Sequence, residues 1–319
     1  MLSKNTIKKL IYPAILLGFL LGGELVARFV LGLGDPPLSV ADPEIEYMFA
    51  PNQDCRRFGN RVVYNNVSMR NVQNIQTNEP FSGFRVLMMG DSVLNGGSQT
   101  DHKHLATTLA QEVLEKDMKI PVQILHCSAG SWGPGNYSAY IKRYGDFDSN
   151  SIGFVLSSHD VWDVPDFTPI VGIHQGFPNK KPFSAFVEGV CRYFSPRVKN
   201  KFPNKTKISK IDVDFQDGKT KEIEQISMDA LEYIITPAMR RGADVFFVLH
   251  RTTDEWKAGG VPEGEQIFRD FASQHHIPVY LLMLDPCSDY RDGIHINVNG
   301  QKKLAEVIRD HVMDACVAK

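Results

Sequence analysis

The chain has 319 residues, of which 43% are hydrophobic and 23% charged, a composition typical of one large or two small globular domains. Its formal net charge of −2 leaves no basic surplus, so we expect no nucleic-acid partner. The five cysteines and ten histidines follow no metal-ligand spacing, so the sequence predicts no metal site.

The amino-terminal segment has the pattern of a membrane anchor. Three lysines in residues 1–9 precede an apolar stretch over residues 10–33, which exceeds the roughly 20 residues needed to span a bilayer. Glu24 and Arg28 interrupt this stretch four residues apart, a spacing that places them on one helix face where they can pair. Because no small-residue cleavage site follows, we predict a cytoplasmic tail over 1–9 and a transmembrane signal anchor over 10–33, with the rest of the chain extracytoplasmic. A buried amphipathic helix of a soluble protein is the alternative.

Residues 34–82 are predicted to form an extended linker and an N-terminal extension. A Gly-Asp-Pro-Pro run at 34–37 ends the helix, and the residues after it are polar and rich in turn formers. A short strand is predicted over 61–64.

From residue 83 the sequence alternates between apolar strands and amphipathic helices. Such alternation predicts an α/β domain with a five-stranded parallel sheet covered on both faces, in a three-layer flavodoxin-like arrangement. The strands are predicted over 85–90, 122–127, 153–157, 244–250 and 278–283. The helices are predicted over 104–117, 137–144, 223–241, 263–275 and 301–315.

Two short segments at opposite ends of this domain carry the residues for nucleophilic catalysis. Ser92 directly follows the first predicted strand, at the carboxyl edge where open α/β sheets bind ligands. Asp292 and His295 lie three residues apart before the last helix. A carboxylate can orient one imidazole nitrogen while the other takes the proton of a serine hydroxyl. We therefore predict Ser92 as nucleophile, His295 as base and Asp292 as the orienting acid.

The two segments resemble the first and last conserved blocks of SGNH, or GDSL-type, hydrolases, and the resemblance extends from residue 83 to the carboxyl terminus. The glycine of the second block is best matched by Gly133, with Gly130 as second choice. In the third block Asp160 is kept, but His159 stands where the family has asparagine. The resemblance implies an oxyanion hole built from the N–H groups of Ser92 and Gly133 and the side chain of His159.

Side chains beside these positions are predicted to bind the substrate, namely Asp91, Asp160, Trp132 and Trp162. The insertion over 161–221 starts at the same edge, and it is basic and aromatic. Alternating apolar residues at 211–215 predict a hairpin within it. The insertion is either a lid or groove for an extended polymer, or a solvated surface addition.

Together these features predict a membrane-anchored serine esterase that needs no cofactor. The expected substrate is an acyl ester, with O-acetyl groups of an envelope or exported polysaccharide as the leading candidate. The same residues would serve an acyltransferase, in which a sugar hydroxyl replaces water. A non-catalytic glycan-binding envelope protein is the third possibility, favoured only by His159. Nucleotide binding is not favoured, because tryptophan and proline in the glycine-rich stretch 130–135 would crowd a phosphate.

Overall fold

The computed structural model of the protein describes residues 4–76, 81–194 and 217–317. Helix α1 (Lys4–Leu25) continues into a π-helical turn at Val26–Val30. Within these two elements, Ile11–Val30 is long and apolar enough to cross a membrane, with a mean hydropathy of 1.7 and 6% of the segment buried against the rest of the chain. The predicted pair forms, since Arg28 donates to Glu24 Oε1 through Nε at 3.1 Å and NH2 at 2.6 Å.

Two antiparallel hairpins follow the first helix, where the sequence predicts an extended linker and an N-terminal extension. The hairpins are β1 (Ser39–Asp42) with β2 (Glu46–Phe49), and β3 (Gln53–Arg57) with β4 (Asn60–Tyr64). Tyr47, Val62 and Met69 from this region are buried, and Tyr47 and Met69 belong to the main hydrophobic core. The region is therefore a packed part of the domain, and the expectation of an extended linker is wrong. Strand β4 contains the strand predicted over 61–64, whereas β1, β2 and β3 are only four or five residues long and leave a weak pattern in the sequence.

A five-stranded parallel sheet forms the centre of the domain, as predicted. Its strands are β5 (Phe84–Gly90), β6 (Val122–Ser128), β7 (Ser151–Ser157), β8 (Asp244–His250) and β9 (Val279–Leu281). Their order in the sheet is β6-β5-β7-β8-β9, which is the 2-1-3-4-5 order of flavodoxin-like folds. Strand β5 lies between β6 and β7 and all seven of its residues are buried, which explains its uninterrupted apolar run.

Helices cover both faces of the sheet and complete three layers. Alternate residues of β5 point to opposite faces, with Val86 and Met88 in one core cluster and Leu87 and Met89 in the other. The described helices after α1 are α2 (Ser92–Asn95), α3 (Ala106–Met118), α4 (Pro134–Tyr144), α5 (Ala185–Glu188), α6 (Asp217–Arg240), α7 (Thr253–Ala258), α8 (Glu263–Gln274) and α9 (Val298–Val317). Side chains of α3 and α9 pack in the first cluster, and side chains of α4, α6 and α8 pack in the second.

The insertion is described over residues 161–194 and again from residue 217. Its first part packs on the domain, with the ring of Phe177 edge-on to Tyr47 at 4.8 Å between centroids. Helix α5 continues as a π-helical turn at Gly189–Phe194 and lies against the end of α1. The hairpin predicted at 211–215 lies outside the described residues.

Candidate active site

Ser92 is the first residue of α2, and one residue separates it from the end of strand β5. Asp91 caps this helix, since its carboxylate accepts the N–H of Val93 at 2.7 Å. A Cβ on Gly90 would lie 2.8 Å from the Leu94 side chain, so only glycine lets the helix turn back so tightly here. Within the described part of the chain the Ser92 N–H has no hydrogen-bond partner. The nucleophile candidate thus has a free N–H beside its hydroxyl.

His295 and Asp292 meet Ser92 in the geometry that proton transfer needs. His295 Nε2 lies 3.0 Å from Ser92 Oγ. His295 Nδ1 lies 3.0 and 2.9 Å from the two carboxylate oxygens of Asp292, which fixes the proton on Nδ1 and leaves Nε2 as acceptor. Burial acts to raise the pKa of Asp292, but the N–H groups of His295 and Ile294 and the imidazole outweigh it and lower the pKa. Asp292 is therefore ionised at neutral pH.

The loop that carries His295 is tied directly to the loop that follows Ser92. The guanidinium of Arg291 donates to the carbonyl of Gly96 at 2.9 Å, and the Arg291 N–H donates to the carbonyl of His295 at 2.9 Å. The N–H of Thr253 holds the same loop through the carbonyl of Gly293 at 2.9 Å. Arg291 is a positioning residue that the sequence analysis did not identify, because its partner is a backbone carbonyl 195 residues away.

A second arginine, Arg70, supports the Ser92 loop from the N-terminal extension. Its buried guanidinium donates to the carbonyls of Asn95, Gly97 and Thr100, the last two at 2.6 and 2.7 Å. Burial lowers the pKa of Arg70, but the side chain remains charged and is compensated by these carbonyl dipoles. Tyr64 also donates to the Asn95 side chain at 3.2 Å. The extension therefore shapes the candidate active site.

The predicted roles of Gly133 and Trp132 conflict with the structure. The Gly133 N–H donates to Asn136 Oδ1 at 2.9 Å in the first turn of α4, so it is not free to bind an oxyanion. Trp132 is buried and its Nε1 donates to the carbonyl of Tyr47 at 3.1 Å, so its ring belongs to the core and does not contact a substrate. Both residues are held inward because α4 and the β1–β2 hairpin pack together.

The turn before Trp132 provides free backbone donors instead. Gly130, the second choice from the sequence, and Ser131 have N–H groups without hydrogen-bond partners in the described residues. Ser131 has a φ of 55°, the left-handed conformation that favours glycine. The turn follows β6, whose last residue Ser128 pairs with Gly90 in the sheet. These N–H groups thus belong to the loop neighbouring Ser92.

His159 lies at the end of β7 between two buried carboxylates. Its Nε2 is 3.3 Å from Asp160 Oδ1 and 3.7 Å from Asp91 Oδ2. Burial acts to lower the pKa of His159, but the adjacent carboxylates of Asp91 and Asp160 outweigh it and raise the pKa to about 9. The imidazole is therefore a cation at neutral pH, with 44% of its side chain exposed. A cationic ring donates from both nitrogens, so Nδ1 stays available when Nε2 faces the carboxylates.

Other polar groups at this edge are buried around His159. Asp160 is fully buried and accepts the N–H of Ser157 at 2.8 Å, and burial together with the charge of Asp91 raises its pKa. Burial also raises the pKa of Asp163 to about 6, against the opposing charge of His159. His250, at the end of β8, is buried with its pKa lowered to about 4 by desolvation. Asp91 and Asp160 are thus internal supports, and they do not face solvent as substrate ligands would.

Trp162 and a cluster of three possible cation ligands are the remaining features of the site. Trp162 is half-buried and packs against the main core, with its Nε1 shielded and without a partner in the described residues. In the described ranges the one group able to hold a cation jointly is Asp91, His159 and Asp160, whose candidate ligand atoms lie within 4.8 Å of one another. The protonated His159 already places a positive charge between these carboxylates, and the sequence predicts no metal there.

Comparisons with known proteins give likenesses of fold alone. The amino-acid sequence matches no protein-family profile and no curated protein sequence. Among solved structures, the chain is similar to an acetylxylan esterase from Geobacillus stearothermophilus, with 10% identity, a TM-score of 0.44, and coverage of 73% of this chain and 95% of that one. It is also similar to the protein TesA, with 13% identity, a TM-score of 0.44, and coverage of 72% and 99%. A third is a two-domain esterase active on acetylated mannans, with 9% identity, a TM-score of 0.45, and coverage of 73% and 49%.

The five-stranded sheet order is that of a flavodoxin-like α/β fold, as the sequence predicts, and Ser92 lies at the carboxyl end of one of its strands. At such low identity the likenesses do not transfer residue roles. We therefore argue the role of each residue from this chain's own geometry.

Proposed function

We propose that the protein is a serine esterase whose nucleophile is Ser92. The observation that carries the proposal is the line of contacts from Asp292 through His295 to Ser92 Oγ, each at 2.9 to 3.0 Å. Nε2 lacks a proton in this arrangement, so it can accept the hydroxyl proton as Oγ attacks an acyl carbonyl. Asp292 then stabilises the imidazolium that forms.

The reaction proceeds through an acyl-enzyme. His295 returns the proton to the leaving alcohol oxygen, which separates as the acyl group stays on Ser92. A water molecule then attacks the acyl carbon and gives a proton to His295, which passes it to Ser92 Oγ as the bond between Oγ and the acyl carbon breaks and the carboxylic acid leaves. The developing oxyanion is bound by the Ser92 N–H and an N–H of the Gly130–Ser131 turn, with the cationic His159 as third donor.

The site is open to solvent, which bears on the substrate. Side-chain exposure is 47% for Asp292 and 28% for His295, so an ester on a bulky carrier can reach Ser92. We propose an O-acyl group, such as O-acetyl, on a polysaccharide. The same openness favours hydrolysis over acyl transfer, because transfer requires that water be excluded from the acyl-enzyme.

We further propose that Ile11–Val30 anchors the protein with its catalytic domain outside the cytoplasm. The support is the apolar span and the lysines on its amino side. A tag after Lys319 should sediment with membranes and be digested by protease added to spheroplasts. A protease-protected tag, or a fully soluble protein, would contradict the anchor.

Acetate release from acetylated polysaccharide tests the substrate proposal. We expect acetate release by the full-length protein and none by Ser92→Ala. Activity on a short aryl ester without acetate release would confine the proposal to small esters. Adding an unacetylated sugar acceptor separates the alternatives, since an acetylated acceptor identifies a transferase.

A further inference from the structure

A short helix from the insertion is capped by a carboxylate of the proposed membrane span. Glu24 accepts the N–H of Ala185 at 3.0 Å, the N–H of Phe186 at 2.9 Å and the hydroxyl of Ser184 at 2.7 Å. A carboxylate in an apolar span is costly unless its hydrogen bonds are satisfied. The hydrogen bonds of Glu24 therefore hold α5 against α1, which gives this carboxylate a structural role within the apolar span.

A buried ion pair attaches the same helix to the β3–β4 hairpin. Arg57 NH2 lies 2.7 Å from Glu188 Oε1, with the two side chains only 1% and 8% exposed. Glu188 also accepts the N–H of Gly34 at 2.6 Å, just after the span. Helix α5, the hairpin and the outer end of α1 are thus joined by charged hydrogen bonds.

An apolar groove of about 650 Å³ lies between these three segments. One wall is the helix face with Phe19 and Val26, another is Phe58 at the turn of the β3–β4 hairpin, and the third is the π-helical turn with Val190. Of the described side chains that line it, only Tyr193 has a polar group, and Arg57 donates to that hydroxyl at 2.8 Å. The groove therefore offers a ligand apolar contacts and no unsatisfied polar group.

The dimensions of the groove fit a single hydrocarbon chain. The groove extends along the first helix from Phe19 to Leu31, about 18 Å at about 1.5 Å per residue. A volume of about 650 Å³ spread over about 18 Å describes a long, shallow groove, a shape that one extended hydrocarbon chain can follow. Gly22 lines the groove, and a Cβ added there would meet no atom within 4 Å, so a larger side chain can be introduced without a clash.

We propose that this groove binds one acyl chain of a bilayer phospholipid. The inference rests on the proposed membrane span, because a groove walled by that span opens where acyl chains surround the protein. Large apolar side chains flank it and face outward, including Phe29 and Phe194, which are 77% and 63% exposed. Such a patch requires a membrane or a partner to cover it. A bound lipid would join α5 to the span and hold the catalytic domain at the membrane surface.

Photo-crosslinking of the full-length protein in phosphatidylcholine vesicles tests the proposal. The vesicles contain a phosphatidylcholine with a diazirine on one acyl chain, and labelled peptides are mapped by mass spectrometry. We expect label in residues 19–33 and 186–194 together. Gly22→Leu adds a large side chain to the wall of the groove and should remove most of the label from 186–194. Gly18→Leu is the matched control, because its Cβ also meets no atom within 4 Å and Gly18 is not among the groove residues. This control should label like the unmodified protein.

Several results would overturn the inference. Equal labelling of residues 186–194 in the two glycine variants would overturn it. Detergent adducts in the groove that added phosphatidylcholine does not displace would also overturn it. Crosslinks between two protein copies through 186–194 would assign the groove to a dimer. Val190→Phe narrows the groove from the opposite wall and should also lose label at 186–194 while its melting temperature stays close to that of the unmodified protein; undiminished label in this folded variant would overturn the inference. Sedimentation after carbonate extraction is scored separately: failure to sediment contradicts the span, whereas sedimentation without label at 186–194 contradicts only the groove.

Discussion

His295 Nε2 and Ser92 Oγ lie 3.0 Å apart although 203 positions separate the two residues in the chain. The contact exists because β5 ends beside the loop that precedes α9, at the same edge of the sheet. Arg291 links that loop to the Ser92 loop through the carbonyl of Gly96. The proposed nucleophile and its proposed base are thus held by two elements that are each anchored in the core.

Replacing the three aligned residues should affect turnover of a short aryl ester unequally. We expect Ser92→Ala and His295→Ala each to lower kcat by about 10⁶, and Asp292→Asn by about 10⁴, because the orienting acid contributes less than nucleophile or base. Initial rates on variants shown to be folded by circular dichroism check this order. Ser98→Ala, in the same loop, serves as the matched control and should retain wild-type turnover.

His159 should contribute to kcat as a third oxyanion donor. His159→Ala is expected to lower kcat by about 10²–10³ with little change in KM, since a donor to the oxyanion acts mainly in the transition state. His159→Asn should recover part of the loss, because an amide can also donate. Steady-state kinetics normalised to titrated active sites measure both effects. An unchanged kcat in His159→Ala would leave only backbone donors in the hole.

The raised pKa of His159 also predicts a pH-dependent contribution to stability. The folded pKa of about 9 lies above the unfolded value of 6.5, so the folded state binds the proton more tightly. The stabilising contribution is complete below pH 6.5 and is lost as the pH rises through 9. The difference in melting temperature between wild type and His159→Gln should therefore be largest near pH 6 and shrink towards pH 9. A difference that grows with pH would contradict the assigned charge.

The buried pair of Arg57 and Glu188 should matter most when only one partner is removed. Arg57→Met removes the closer of two cations from the buried carboxylate of Glu188. Among the described residues this carboxylate then keeps only the N–H of Gly34 and the guanidinium of Arg192 at 3.6 Å. The substitution should therefore lower the free energy of unfolding by about 3 kcal/mol. The double variant Arg57→Met/Glu188→Leu should regain much of this loss, because no buried charge remains unpaired. Urea denaturation of the three proteins measures the difference. Arg61→Met, which breaks an exposed pair with Asp54, should cost at most about 1 kcal/mol.

The sequence predicted the sheet and the alignment of Ser92, Asp292 and His295 because their signals are local. Buried strands are continuous apolar runs, and the two segments lie next to strand or helix ends. The misassigned residues depend on distant partners. Gly133 loses its N–H to a side chain of α4, and Trp132 is buried by a contact with Tyr47 from the hairpin region. The charge of His159 likewise depends on Asp91, which reaches it only in the folded chain.

The sequence also did not predict the free N–H donors of the Gly130–Ser131 turn or the role of Arg70. Both depend on contacts that form only in the folded chain. Backbone N–H groups carry no sequence signal until the turn is known, although glycine at 130 was a weak indication. Arg70 binds three carbonyls of a loop 25 to 30 residues away, and neither its neighbours nor its spacing identify that target.

Covalent labelling by a fluorophosphonate probe tests the central claim most directly. The claim is that Ser92 is a nucleophile activated by His295, and the probe reacts with an activated serine whatever the natural substrate is. We predict one labelled peptide, modified at Ser92, with labelling absent in folded Ser92→Ala, strongly slowed in His295→Ala and unchanged in Ser98→Ala. Modification at another residue, or undiminished labelling of folded Ser92→Ala, would contradict the account.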